Sequence, residues 1–159
     1  LVGCQTRLKW GEQKRVFQLI PALRNCEFVR YGVMHRNTFI NSPQVLNSSF
    51  QFREYPRLFL AGQITGVEGY VESTASGLLA GLNAVRVLQG QQPLVLPQET
   101  ILGSLAQYIS SADPGFFQPM NANFGILPPL DPPVRGKQER KLAYTQRSTV
   151  ALEDYWAAL

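Results

Sequence analysis

The chain has 159 residues, of which 45% are hydrophobic and 16% charged, a balance that fits one globular domain with a sizeable core and excludes a wholly disordered chain. No apolar run reaches the length of a membrane span, no secretory leader is expected, and the two cysteines, Cys4 and Cys26, form no CxxC pair, so a reduced, cytoplasmic setting without a metal centre is expected. A formal net charge of +4 permits a polyanionic partner without identifying one.

Residues 1–9 alternate, with Val2, Cys4, Thr6 and Leu8 on one side, and predict a strand. Neither Cys4 nor Cys26 has a supporting His or second Cys, so both read as small hydrophobes rather than nucleophiles. Residues 11–20 predict a short amphipathic helix stopped by Pro21, with Val16, Phe17, Leu19 and Ile20 facing inward. Arg7, Lys9, Lys14 and Arg15 make a basic cluster relieved by Glu12, either a solvated face or a patch for nucleic-acid phosphates. A second strand is expected over residues 27–33. MHRNTFINSP follows it and holds the single histidine, His35, beside Arg36 and Asn37. Residues 41–56 are rich in Asn, Ser, Pro and Gln and read as a surface excursion. Its Phe50, Phe52 and Tyr55 are spaced either to pack a short strand or to stack on bases.

Residues 57–90 carry the strongest pattern. Leu58 to Ala61 predict a buried strand ended by Gly62. Gly66 and Gly69, with Thr65 and Glu68 about them, form a turn into a long helix. Val71, Ala75, Leu78, Leu79, Leu82, Val85 and Leu88 mark one apolar face, and Gly90 with Pro93 marks the stop. Gly77 and Gly81 each cost about 1 kcal/mol against Ala inside a helix, so they are read as clearing one side for a sheet or a ligand. Glycines before a helix N-terminus suit an anionic or polarised ligand, because free N–H groups and the dipole face it. A bare βα turn without a ligand is the plainer reading. The spacing is not GxGxxG, and that motif occurs nowhere in the chain.

Beyond Gly90, Pro97 is expected in the first turn of another helix, with Ile101, Leu102, Leu105, Tyr108 and Ile109 on its inner face. The Pro- and Gly-rich stretch 116–136 has no period and reads as a functional or covering loop. Asn121 and Asn123 offer amide edges there, and Phe116, Phe117 and Phe124 offer stacking faces. The tail over 137–159 predicts a helix with Leu142, Val150, Leu152, Trp156 and Leu159 inward. Arg135, Lys137, Arg140, Lys141 and Arg147 make a second basic cluster, the better candidate for a nucleic-acid backbone. Three segments result: 1–56, 57–92 and 93–159.

LFLAGQITGVEGYVESTASGLLAGLNA resembles the C-terminal flavin-binding segment of FAD-dependent tRNA-modifying enzymes, the folate-dependent tRNA (uracil-5-)-methyltransferases (TrmFO) and their GidA relatives. RYGVMHRNTFINSP and FQPMNANFG are similar to the first group and not to the form GidA takes. The resemblance implies an α/β fold, the C-terminal part of a Rossmann-like FAD-binding unit with a helical extension. The half gripping the adenosine diphosphate portion of FAD, and the catalytic cysteines, would lie elsewhere, and the missing N-terminal half would be a partner. It implies FAD at Gly62, Gln63, Thr65, Gly66, Val67, Glu68, Gly69 and Tyr70. It implies a catalytic role for His35, stacked on the pteridine of 5,10-methylenetetrahydrofolate, with Arg36 and Asn37 on a polar edge. Asn121 and Asn123 suit the pterin or uracil, and Lys137, Arg140, Lys141 and Arg147 the tRNA backbone. NAD(P)H is the implied reductant. Alternatives are GidA-like wobble-uridine modification, a flavin oxidoreductase acting on a small molecule, and an inactive RNA-binding remnant.

Overall fold

The computed structural model describes residues 6–32 and 38–159. The chain divides into two compact units, Leu1–Asn37 and Thr38–Leu159, so residues 38–56 belong with the later elements and not with the first segment.

In the first unit, helix α1 spans Trp10–Phe17 and a 3-10 turn spans Pro21–Leu23. The helix ends three residues earlier than the pattern to Ile20 predicts. Leu19 and Ile20 are exposed rather than inward, while Val16 and Phe17 are half-buried. What anchors α1 is polar. Gln13 is buried, its Nε2 donates to the carbonyls of Leu8 and Gly32 at 2.9 Å each, and its Oε1 accepts from Gly32 N at 2.8 Å. One amide thus satisfies three main-chain groups that lack sheet partners. Residues 6–9 and 27–32 are not strands. Over the second stretch Phe28 stacks on Tyr31 at 5.3 Å and lies 6.3 Å from Phe17, so aromatic contact replaces a ladder. Cys4 and the start of the first predicted strand lie outside the described residues.

The second unit is helix-rich. After the short helix α2, Ser42–Val45, come β1, Val67–Glu68, and α3, Tyr70–Leu88. Helix α4, Ile101–Ser111, precedes β2, Met120–Asn121, and α5, Lys137–Ala157, closes the chain. Among the described residues the sheet is one parallel pair, Val67 opposite Met120 and Glu68 opposite Asn121. The predicted strand at 58–61 is instead an extended segment folded back on residues 50–52. Phe52 N donates to Leu58 O at 2.9 Å and Leu60 N to Phe50 O at 3.0 Å. This antiparallel fold-back occupies Leu58 O and Leu60 N on one edge of the segment.

Residues 42–50 go largely into the core, while residues 53–56 are at the surface as expected. Ser42, Pro43, Leu46, Ser49 and Phe50 are buried. Asn47 explains how so polar a sequence goes inside. Its Oδ1 accepts from Ser49 N, Ser49 Oγ and Gln51 N, closing a tight turn that leaves Phe50 at φ +64° with its ring in the core. Around Phe50 pack Leu79, Leu94, Leu105, Ile109 and Phe117. Helix α4 buries Leu105 and Ile109 and packs Leu102 and Tyr108 against that cluster, as its spacing predicts. It is started by Thr100 rather than Pro97, with Thr100 Oγ1 accepting from Gly103 N at 3.0 Å.

Helices α3 and α5 turn other faces inward than predicted. In α3, Ser76, Leu79, Ala80 and Asn83 are buried, while Val71, Leu78, Leu82, Val85 and Leu88 are exposed. In α5, Leu142, Val150 and Trp156 are exposed and Leu152 is half-buried, and Leu159, beyond the helix end, is exposed too. It docks through Tyr144, Arg147 and Tyr155. The Tyr155 hydroxyl accepts from Val95 N at 3.1 Å, and the Tyr144 ring lies 5.5 Å from Phe124.

Candidate functional site

The site is a turn made almost wholly of main chain. Gly62–Thr65 forms one 3-10 turn, Gly66 follows at φ +85°, β1 adds two residues, and Gly69 at φ +100° caps α3. Thr65 Oγ1 donates to Gly62 O at 2.7 Å, and Gly62 N donates to Ser76 Oγ at 2.9 Å, so the turn is fastened to its own helix. From outside, Ser42 Oγ donates to Thr65 O at 2.8 Å and Ile40 N to Ile64 O at 2.9 Å. The β1–β2 pair braces the far side, with Met120 N donating to Gly66 O at 2.8 Å.

Two glycines are required here, Gly66 by close approach and Gly69 by its left-handed backbone. A Cβ on Gly66 would lie 2.6 Å from Cζ of Phe117, whose ring packs on Phe39 and Tyr108. Gly66→Ala is expected to destabilise this unit by about 2 kcal/mol, from left-handed strain and displacement of that ring. Urea unfolding reads the loss, and an unchanged midpoint would show that the ring moves freely. At Gly69 a Cβ would overlap the Glu72 carboxylate, which folds back over the helix start and accepts from Ala122 N at 3.2 Å. The carboxylate complements the helix dipole and ties α3 to the segment after β2. Gly136 and Glu139 repeat this cap at the start of α5, with Gly136 at φ +92°.

The predicted FAD residues divide by exposure. Thr65, Gly66 and Val67 are buried, the Thr65 side chain is hydrogen-bonded inward, and Val67 is in the core. Gln63 and Tyr70 stand exposed on the open side, and Gly62, Glu68 and Gly69 are half-buried. The strand register brings Glu68 beside Asn121, two residues that the sequence places far apart. Asn123 is spent locally, with Nδ2 on Asn121 O and Oδ1 on Gly125 N, both at 2.9 Å. His35, Arg36 and Asn37 lie outside the described residues.

Of the second basic cluster, Lys137, Arg140 and Lys141 are exposed at the start of α5. Arg147 is not available in the same way. It donates to the carbonyls of Pro128 and Pro129 at 2.7 and 2.9 Å and stacks over Tyr144 at 5.1 Å, so it clasps the proline loop to α5. Sequence reading missed Glu72, Ser73 and Ser76. The repeated G-x-x-E at 69–72 and 136–139 is the signal that points to Glu72. Among the described residues no cluster of His, Cys, Asp and Glu could hold a metal ion, and no helix is long and apolar enough to cross a membrane.

Comparison with known proteins places this geometry. A TrmFO, methylenetetrahydrofolate–tRNA-(uracil-5-)-methyltransferase, from Pelotomaculum thermopropionicum is 59% identical over 98% of this chain and 36% of its own length. One from Natranaerobius thermophilus is 63% identical over the same shares. The chain therefore spans about a third of the length of these relatives. The matches support the family and not the expected C-terminal placement within it. The crystal structure of Aquifex aeolicus GidA, form II, superposes with a TM-score of 0.52 at 26% identity, over 67% of this chain and 18% of that one. The family model of glucose inhibited division protein A, GidA, matches residues 1–92, and the chain belongs to that family.

Proposed function

We propose that this chain is part of a flavin-dependent enzyme that methylates C5 of the T-loop uridine in tRNA. The observation that carries the reading is the bare turn at 62–69, whose open side offers backbone and glycine surface leading into the N-terminus of α3. The turn fits a Rossmann-like FAD site on two counts. Gly62, at φ +71°, presents no side chain, and a Cβ there would already meet Ser73 Oγ at 3.7 Å. That hydroxyl is buried without a hydrogen-bond partner among the described residues. Gln63 would hold a ribityl hydroxyl, and the first-turn N–H groups of α3 would face the ring's polar edge. Those donors stabilise negative charge with little reorganisation. Glu72 holds the start of α3 in place, and Asn121 beside Glu68 presents an amide to a pterin or uracil edge. When bound, FAD supplies electrons, 5,10-methylenetetrahydrofolate supplies the carbon, and NAD(P)H restores the flavin. His35 would give the pteridine a flat face, with Arg36 and Asn37 beside it. A cytoplasmic setting accords with a tRNA substrate.

The test uses the enzyme that carries this chain together with its remaining residues. The parent should copurify with flavin absorbance and transfer a methyl group to T-loop uridine. Gly62→Val should retain its far-UV circular dichroism and lose flavin at least tenfold. A parent that stays colourless with added FAD would sink the reading. Modification of a wobble uridine instead would favour the GidA-like alternative, which the Aquifex aeolicus structure keeps in view.

A further inference from the structure

The positive charge of this chain is not spread evenly. Residues 1–37 hold seven Lys and Arg against two Glu, a net charge of +5. The whole chain carries +4, so residues 38–159 carry −1. The tail cluster therefore sits in a unit without net positive charge, and its Arg147 is already committed to the proline loop.

The first unit adds a second feature. Trp10, the first residue of α1, is 62% exposed. Its indole N–H donates to Gly32 O at 3.1 Å, the carbonyl that also receives Gln13. The ring is thus held in place by its polar edge while most of its surface meets solvent. An exposed Trp with a satisfied N–H is a rigid, flat apolar face, which is how proteins stack unpaired bases. Lys14 is one helical turn on, on the same side of α1, and Lys9 immediately precedes the ring. Arg15 is partly neutralised by Glu12, the one ion pair among the described residues. Lys9 and Lys14 are exposed and form none.

We propose that the Leu1–Asn37 unit is an RNA-contacting face of this protein, with Trp10 stacking on an unpaired base and Lys9 and Lys14 on flanking phosphates. The inference rests on the tRNA reading above and moves the contact away from α5. Charge complementarity supplies the salt-dependent part of the affinity, and the ring supplies a part that salt does not screen.

Fluorescence titration of the 159-residue chain with bulk tRNA tests it. The chain has two tryptophans, so Trp156→Phe leaves Trp10 as its one indole. Saturating tRNA should quench that emission. Trp10→Ala should weaken binding roughly tenfold to a hundredfold, as loss of one stacked base does. Trp10→Phe, which keeps a ring, should stay within about threefold, and circular dichroism of both variants checks the fold. The double variant Lys9→Gln with Lys14→Gln should lower the slope of log affinity against log salt by about two. Unquenched Trp10 with all variants binding like the parent would overturn the inference, as would a parent chain that binds no tRNA at low salt. Neither result touches the flavin and methyl-transfer readouts, so failure here and failure of the enzyme reading are distinguishable.

Discussion

Asn83→Ala should cost the second unit about 3 kcal/mol, the largest loss expected from a side chain that touches no ligand. Asn83 is fully buried. Its Nδ2 donates to Ser49 O at 3.1 Å and Leu94 O at 3.0 Å, and its Oδ1 accepts from Leu94 N at 2.6 Å. Three segments meet at that amide: α3, the turn before Phe50 and the extended run through Leu94. Truncation leaves two carbonyls and one N–H buried without partners, at about 1–3 kcal/mol for each group that finds no water. Asn83→Asp keeps the shape and loses both donors, so it should fail almost as badly. Asn83→Leu should not recover the loss, since it fills volume without satisfying the backbone. Chemical denaturation followed by circular dichroism measures all three, and a midpoint unmoved by Asn83→Ala would refute the clasp.

Gly103→Ala should destabilise the same unit by about 2–3 kcal/mol, against the sign that helix propensity gives. Inside a helix, glycine to alanine ordinarily gains about 1 kcal/mol. At Gly103 an added Cβ would overlap the main-chain carbonyl of Pro97. That oxygen cannot yield easily, because Thr100 N and Thr100 Oγ1 donate to it at 3.0 and 2.7 Å. The overpacking cost of about 1–3 kcal/mol, with the broken cap of α4 added, outweighs the propensity gain. Gly77→Ala is the control. Nothing lies within 4 Å of its Cβ position, so there the ordinary gain should appear. Equal shifts for the two variants would show that α4 slides to make room.

Part of this fold was legible because local chemistry alone decided it. The glycine turn at 62–69, the span of α3 and the inner face of α4 follow from residues whose backbone or periodic demands admit few solutions. The inward side of α3 was not legible. That helix is apolar on more than one side, and the side facing the core here carries Ser76 and Asn83, which are buried because each finds backbone partners. Period alone counts apolar residues and cannot see such partners. The β1–β2 pair was out of reach for another reason, since two-residue strands leave no alternation to detect. At the site, the bare turn could be found from its glycines. The meeting of Glu68 with Asn121 depends on that unreadable pairing. The commitment of Arg147 to two proline carbonyls depends on the path of an aperiodic loop.

The outward side of α3 sets how these residues behave in bulk solution. Val71, Leu78, Leu82, Val85 and Leu88 give it a run of greasy surface along five turns, with Gly77 and Gly81 leaving shallow gaps between them. Surfaces of that kind hold molecules together through expelled water rather than through charge. Sulfate, which strengthens such contacts, works against colloidal stability here, and mild chaotropes work for it. Handling this chain is therefore a matter of keeping one helix wetted, and added sodium chloride used to quiet its basic end leaves that problem untouched.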